Sequence, residues 1–166
     1  YVALSYVWGS AAGLSSTRGN IDALKRPGSL WLAQRDLPAV ITDAMALVAG
    51  MGERYLWVDR LCILQDDGDT KMAAINQMDV IYENALLTIV AAEGADASAG
   101  LPGVGRRPRM QAQRCDVIGP RLKMIVPHEL DALRSTKWAS RAWTFQEYLA
   151  SPRRLIFVNG QIAFRC

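Results

Sequence analysis

Near its C-terminus the chain places a carboxylate, Glu147, in a short aromatic segment, Trp143-Thr-Phe-Gln-Glu147. The segment predicts a helix that is capped by Ser140 and stopped by Pro152, with Trp143 and Glu147 one turn apart on the same edge. Such a carboxylate is either a solvated helix charge, which is the usual environment of Glu, or the working group of an active site. The aromatic surroundings add support to the second interpretation without excluding the first.

The remaining apolar residues of this predicted helix are expected to pack inward. Phe145 and Leu149 lie on a different face from Glu147, and we expect that face to pack on a sheet. Trp143 has the shape to pack beside a flat base, but a place in the hydrophobic core is the simpler expectation for its side chain.

Other residues that suit a binding site stand where predicted strands end. Trp8 and Gly9 close a first β-rich run, and Asp59 closes the run Tyr55-Leu-Trp-Val-Asp59. In open parallel sheets, ligands bind outside the carboxyl ends of the strands. These positions are therefore candidates for a site before any family is considered.

The strands alternate with helical patterns along the chain. The segments predicted as strands are Val2–Trp8, Tyr55–Asp59, Leu86–Ala92 and Arg154–Val158. The second and third are apolar enough to be buried on both faces. This rhythm predicts an α/β domain with a mostly parallel central sheet flanked by helices.

Two amphipathic helices separate the first three strands. Asp36 is the expected cap of the first, with Pro38 in its opening turn and Gly50 and Gly52 at its end. Asp69 is the expected cap of the second. The stretch before the first helix, to about residue 34, is rich in Gly, Ser and Arg and predicts a loop.

The chain length fits one domain, residues 1–166, with an excursion at about 93–137. Within the excursion, two short runs flank Gly119-Pro120 and predict a hairpin: Arg114–Ile118 and Arg121–Val126. The chain opens in strand-like sequence without an initiator Met. We therefore expect a piece of a longer protein.

Composition excludes several classes of function. The net charge of +3 is too small to indicate nucleic-acid binding by itself. Basic residues are grouped at Arg106–Arg109 and at Arg153–Arg154, and we interpret the first group as a solvated loop. No run is apolar enough for a membrane span, and no signal-peptide pattern is present. No phosphate-binding GxxxxGK[ST] or dinucleotide-binding GxGxxG motif stands in the required setting.

Histidine and cysteine are too scarce for a zinc site. The single histidine, His128, lies in a Pro-His-Glu context that indicates an ordinary surface residue. Three widely spaced cysteines fit a reduced, cytoplasmic protein better than a disulfide scaffold. We expect Cys62 to be a small buried apolar residue.

Three blocks resemble the fungal HET (heterokaryon incompatibility) domain, in that family's order and over nearly all of the chain. The blocks are Ala3-Leu-Ser-Tyr-Val-Trp-Gly9, Leu56-Trp-Val-Asp-Arg-Leu-Cys-Ile-Leu-Gln-Asp66 with Met78-Asp-Val-Ile-Tyr82, and Arg141-Ala-Trp-Thr-Phe-Gln-Glu147. Leu64 departs from the family pattern, which usually has an acidic residue there. The resemblance implies a cytosolic module that triggers cell death when genetically different fungal cells fuse.

The HET family is itself distantly similar to TIR domains, and two motifs here are similar to theirs. They are Leu4-Ser5-Tyr6 in the first strand and Trp143-Thr-Phe-Gln-Glu147 in the late helix. This similarity implies a TIR-like (flavodoxin-like) sheet with a β-hairpin and loop insertion. It also implies that Glu147 is the catalytic residue of an enzyme that cleaves NAD, with NAD as substrate, no separate cofactor and no metal.

One carboxylate suits that reaction. Cleavage of the nicotinamide–ribose bond passes through an oxocarbenium-like transition state, which a nearby carboxylate stabilises. Nicotinamide leaves from a cationic ring and needs little acid assistance, so the scarcity of histidine does not matter. Residues in the matched blocks then become candidates for NAD binding: Ser5, Tyr6, Trp8, Gly9, Asp59, Arg60, Arg141 and Trp143.

Each candidate also has a structural interpretation. Trp8 either stacks on a base or covers the core, and Asp59 either binds a ribose hydroxyl or caps the next turn. Arg60 either meets the pyrophosphate or pairs with Asp59. Arg141, at a helix start that disfavours a cation, either pairs with Asp59 or binds a phosphate.

Two classes of function remain. One is an NAD glycohydrolase that is switched on by assembly into a homo-oligomer, with upstream protein partners. The other is a non-enzymatic module that self-associates or recruits partners, in which Glu147 is structural. No membrane association is expected, and nucleic-acid binding through the arginine clusters is the weakest alternative.

Overall fold

The computed structural model describes residues 1–109, 115–119, 122–125 and 129–166. Within these ranges the strands are β1 (Val2–Tyr6), β2 (Leu56–Trp57), β3 (Leu87–Ala91), β4 (Cys115–Gly119), β5 (Leu122–Ile125), β6 (Arg154–Val158) and β7 (Gln161–Arg165). The helices are α1 (Ile21–Leu24), α2 (Ser29–Leu32), α3 (Ala39–Gly50), α4 (Asp59–Cys62), α5 (Gly68–Ile75), α6 (Met78–Glu83), α7 (Glu129–Arg134) and α8 (Ala142–Ala150). A 3₁₀ turn spans Gln34–Asp36.

The central sheet confirms the predicted α/β class. Its strand order is β2-β1-β3-β6-β7, and the first four strands run parallel. Counted within the sheet, this is the doubly wound order 2-1-3-4-5. The last strand, β7, runs antiparallel to β6, and the sequence did not predict it. The predicted hairpin is present as β4 and β5.

β1 lies at the centre of the fold, and all five of its residues are buried. Its side chains alternate between the two faces of the sheet, as the pleat requires. Val2, Leu4 and Tyr6 belong to the core that contains α3. Ala3 packs with Met78 and Tyr82 of α6, and Ser5 faces α8.

β2 differs from the strand predicted at Tyr55–Asp59. It contains two residues, Leu56 and Trp57, and both are half-buried because β2 is an edge strand. Burial on both faces was therefore a wrong expectation. The backbone turns directly after it, since the amides of Leu61 and Cys62 donate to the Val58 carbonyl oxygen.

Several predicted helix caps were also wrong. α3 begins after Pro38, and Asp36 ends the preceding 3₁₀ turn instead of capping the helix. Asp67, two residues before the expected Asp69, caps α5 by accepting a hydrogen bond from the Thr70 amide at 3.3 Å. The stretch predicted as a loop before residue 34 contains α1 and α2.

The orientation of α8 is the reverse of the predicted one. Its polar residues Thr144 and Glu147 are buried, while Trp143, Phe145 and Leu149 are 51%, 66% and 64% exposed. The predictions that Trp143 fills the core and that Phe145 and Leu149 pack on the sheet were therefore wrong.

Hydrogen bonds explain why the polar face of α8 can be buried. The Thr144 hydroxyl reaches the Trp138 carbonyl oxygen at 2.6 Å, and Ser5 donates to the Glu147 carboxylate. At the end of the helix, the Ser151 hydroxyl lies 2.7 Å from that of Thr88 in β3. Because buried polar groups with partners cost little, this face can lie against the sheet. The expected cap, Ser140, bonds back to Lys137 instead.

Among the described residues, no helix combines the length and the apolar character that crossing a membrane requires.

Gly9 lies in the turn after β1 in a conformation that favours glycine. Its φ is +59°, and a Cβ atom there would lie 2.2 Å from the Asp96 Cβ and 2.9 Å from the Asp96 Cα. Gly28 has a similar φ of +79° with nothing within 4 Å of its Cβ position. An alanine at position 28 would therefore meet backbone strain alone, whereas an alanine at position 9 would also meet a steric conflict.

We predict that Gly9→Ala destabilises the protein more than Gly28→Ala does. The backbone term alone costs about 1–2 kcal/mol in each variant. The contact with Asp96 adds roughly 1–3 kcal/mol at position 9. Urea unfolding of both variants measures the difference, and equal losses of stability would refute the tight contact.

Candidate functional site

A pocket of about 290 Å³ opens beside the carboxyl end of β1. Five of the residues predicted for the site line it: Trp8, Asp59, Arg141, Trp143 and Glu147. The other lining residues come from α5, α6 and the segment before them: Ile63, Gln65, Lys71, Ile75 and Met78. The structure therefore brings together residues from the three sequence blocks.

Glu147 lies in the wall of this pocket with 8% of its surface exposed. Burial raises the pKa of its carboxyl from 4.5 to about 7, because the charged form loses its hydration. The nearby Asp59 raises the pKa further, whereas the Ser5 hydrogen bond and the Arg141 charge oppose the rise. Near neutral pH this carboxyl is therefore divided between its two protonation states.

Ser5 holds the Glu147 carboxylate from behind. Its hydroxyl donates to Glu147 Oε2 and accepts a 2.8 Å hydrogen bond from the Trp138 indole nitrogen. Because indole is a donor only, Trp138 leaves the Ser5 proton free to point at Glu147. Ser5 and Trp138 are 1% and 3% exposed, so this chain of hydrogen bonds lies inside the protein, behind the pocket wall.

Tyr82 of α6 lies close to the Glu147 carboxyl. It is almost fully buried, and its hydroxyl donates to the Leu4 carbonyl oxygen at 3.1 Å. Burial and the nearby charge of Glu147 raise its pKa well above the usual value. Tyr82 therefore stays neutral and anchors α6 to β1.

Trp8 and Asp59 form a fixed pair on the neighbouring wall. The Trp8 indole nitrogen donates to Asp59 Oδ2 at 2.7 Å, and the Arg60 amide donates to Asp59 Oδ1 at 2.6 Å. Burial raises the Asp59 pKa, and these hydrogen bonds counteract the rise. Asp59 is thus both a pocket residue and a group that orients the first turn of α4.

Arg60 lies behind Trp8 and does not line the pocket. Its guanidinium carbon is 4.6 Å from the centre of the Trp8 ring, a cation–π contact. Arg60 Nη2 donates to the Ala11 carbonyl oxygen at 3.1 Å. Nε and Nη1 have no hydrogen-bond partner among the described residues. The residue is 7% exposed, so its place is that of a support for Trp8.

Two cations lie in the pocket wall, Arg141 and Lys71. Arg141 donates through Nη1 to the Tyr6 carbonyl oxygen at 2.9 Å, and its charge also lowers the pKa of Asp59. Lys71 comes from α5. The positive charges of these two side chains suit an anionic group of a ligand.

Tyr6 and Gly9, two further predicted site residues, do not line the pocket. Tyr6 is buried, and its hydroxyl lies near Asp59 without a hydrogen bond of normal geometry. Its pKa is raised, first by burial and then by the charge of Asp59. Gly9 packs on Asp96. These two residues shape the end of β1.

Lys71 and Trp138 are the site residues that sequence reasoning missed. Lys71 is a single charged residue in a helix that was predicted from its apolar residues. Trp138 lies just before the third sequence block. No local pattern marks either of them. Gln65 lines the pocket while its amide nitrogen donates to the Asp59 and Ile63 carbonyl oxygens, each at 3.0 Å.

The cysteines and the candidate metal ligands were compared with the structure. Cys62 is exposed, so the prediction that it is buried was wrong. In the part of the chain that the structure describes, no cluster of three His, Cys, Asp or Glu side chains could hold a metal ion. His128 lies outside the described residues.

We predict that Glu147 makes the stability of the protein fall as pH rises. The folded-state pKa of about 7 lies above the ordinary 4.5, so the folded state binds the extra proton between these values. From about pH 4 to about pH 8 the wild type should lose up to about 3 kcal/mol more than Glu147→Gln. Urea unfolding of both proteins across this range tests it, and an equal loss of stability in the two proteins would contradict the burial of the charge.

A family model described as Heterokaryon incompatibility protein (HET) matches residues 1–147 of the 166-residue chain. The matched region extends from β1 to Glu147 and includes all the residues that line the pocket. Comparison with curated proteins and with solved structures gives no match. The similarity to TIR domains therefore stays a prediction. The chain belongs to the heterokaryon incompatibility (HET) family, and heterokaryon incompatibility is the role that this membership implies.

Proposed function

We propose that this HET domain is a cell-death effector of fungal non-self recognition that hydrolyses NAD at the nicotinamide–ribose bond. The observation that carries the proposal is the place of Glu147. Its carboxyl is buried, has a pKa of about 7, and lines an open pocket that Trp8 and Trp143 also line. Perturbed carboxyls in clefts are typical of functional sites.

The chemistry needs one carboxylate and one water molecule. As the bond between nicotinamide and ribose C1′ breaks, its electron pair leaves with nicotinamide and positive charge develops on the ribose. The Glu147 carboxylate stabilises that charge. Water then bonds to C1′ and loses a proton to solvent, which gives ADP-ribose and free nicotinamide.

The pocket suits one half of the dinucleotide. A volume of about 290 Å³ lies at the low end of the range for small-molecule sites, so we expect it to hold the nicotinamide riboside half. Trp8 and Trp143 offer flat surfaces to the nicotinamide ring. Asp59 suits a ribose hydroxyl, and Arg141 and Lys71 suit the phosphates at the mouth. The adenosine half would then lie outside.

Assembly is the proposed switch, because a death effector has to be silent at rest.

A second candidate function follows from the exposed apolar residues of α8. Phe145 and Leu149 are exposed as an interaction surface would be, which also favours a module that triggers death by self-association or through partners without catalysis.

We predict that Glu147→Gln lowers the release of nicotinamide from NAD by at least about 100-fold while the domain stays folded. The matched control is Glu53→Gln, which changes a carboxylate in the loop after α3 and should leave the rate unchanged. Release is measured by chromatography over protein concentrations from dilute to assembled. Equal rates in wild type and Glu147→Gln, or toxicity that persists in Glu147→Gln without NAD loss, would leave the non-enzymatic function standing.

The pH profile of the same reaction provides a separate prediction. If the ionised carboxylate is the active form, the rate should fall about tenfold per pH unit below about pH 7 and level off above it. A rate that increases towards acid pH would show that Glu147 acts as an acid, contrary to the proposed mechanism. The profile of kcat/KM is measured on the wild type at NAD concentrations well below KM, where it reports the free protein.

A further inference from the structure

The outward face of α8 forms one wall of a groove against α6. We call this surface the acidic groove; its residues are Asp79, Glu83, Phe145, Gln146, Leu149 and Ala150. The groove encloses about 490 Å³, and no cation lines it among the described residues. Its apolar residues, Phe145 and Leu149, are about two-thirds exposed. Large apolar side chains grouped in this way mark an interaction site.

A second exposed surface has the opposite charge. We call residues 25–35 the basic segment; it contains Lys25, Arg26 and Arg35 and no acidic residue. At its centre, Trp31 and Leu32 of α2 are 73% and 86% exposed. Its three cations are exposed as well. The basic segment therefore combines two protruding apolar side chains with a cationic border.

The two surfaces belong to opposite layers of the fold. Leu30 of the basic segment lies with Ile41 and Met45 of α3, which covers the face of β1 that contains Leu4. The acidic groove is formed by α6 and α8, which cover the other face of β1, where Ser5 lies. The sheet separates them, so a single chain cannot bring them together.

From this arrangement we infer that the acidic groove of one copy binds the basic segment of a second copy. Trp31 and Leu32 would enter the groove between Phe145 and Leu149. The cations of one copy would face Asp79 and Glu83 of the other. Because the two surfaces are different, the contact is heterologous, and successive copies add head to tail.

A second copy fits better than an unrelated partner because one chain supplies both halves of the contact. Apolar residues meet apolar residues, and opposite charges meet at the rim, as in specific protein interfaces. The inference deepens the proposed switch by assembly, since Gln146 of the groove directly precedes Glu147 on α8. It does not depend on NAD cleavage, because mass is measured without NAD.

Sedimentation velocity on the whole chain tests this contact. The wild type should grow in mass with concentration beyond a dimer. Leu149→Asp in the groove and Leu32→Asp in the basic segment should each leave a monomer, because a carboxylate would replace an apolar contact. Phe164→Asp is the matched control on β7, where Phe164 is 58% exposed, and it should assemble like the wild type. Circular dichroism checks that each variant is folded.

Mixing the two defective variants separates head-to-tail contact from any symmetric one. Each mixed pair retains one intact groove and one intact basic segment, so the mixture should form a one-to-one dimer and stop there. Charge reversal provides a second test. The double variant Asp79→Lys/Glu83→Lys and the double variant Lys25→Glu/Arg26→Glu should each block assembly. A chain that carries all four substitutions should assemble again. Because the charge-reversal variants keep Leu32 and Leu149, they test the contact even if an Asp variant fails to fold.

Three results would overturn the inference. The first is a wild type that stays monomeric at every concentration, which would leave these faces to another protein. The second is assembly that neither Asp variant reduces. The third is a mixture of the two Asp variants that stays monomeric or extends beyond a dimer. A variant that no longer assembles but still cleaves NAD would reject only the control of cleavage by assembly. A wild type that assembles but does not cleave NAD would reject only the proposed enzyme activity.

Discussion

The orientation of α8 depends on one buried carboxyl group, that of Glu147, which lies between α8 and the central strand β1. Ser5 donates to this carboxyl, Trp138 donates to Ser5, and Tyr82 of α6 lies close to the carboxyl. A charge held in this way is costly unless it is hydrogen-bonded or neutralised, and the raised pKa reports that cost. The pocket is the opening through which this group meets solvent.

The inverted orientation of α8 follows from the same constraint. With Thr144, Glu147 and Ser151 satisfied by hydrogen bonds inside the protein, the aromatic and aliphatic residues of the helix must point outward. Trp143 then lines the pocket, and Phe145 lines the groove on the other side. One helix thereby connects the proposed catalytic group with the proposed surface for assembly.

The sequence predicted the elements that depend on strong local patterns. β1, β3 and β6 are short apolar runs, and they appear as a mostly parallel sheet because only the interior of such a sheet accommodates them. β2 was misjudged, since an apolar run does not reveal that its strand lies at an edge. β7 lacked a clear pattern, because its half-buried residues alternate weakly.

The site was predictable where the family blocks overlap the ends of strands, as at Trp8, Asp59 and Glu147. Lys71 and Trp138 escaped because tertiary packing alone brings them to the site. The orientation of α8 was predicted wrongly for a physical reason. Hydrophobic periodicity assumes that apolar residues face inward, and here buried hydrogen-bond partners on β1 and β3 override that preference.

The most direct measurement is a carbon-13 NMR titration of the Glu147 side-chain carboxyl, assigned by comparison with Glu147→Gln and repeated with a non-hydrolysable NAD analogue. Burial in the pocket wall predicts a midpoint at about 7 in the free protein and a shifted midpoint when the analogue is bound. A midpoint near the ordinary value of 4.5 that does not respond to the analogue would contradict the account.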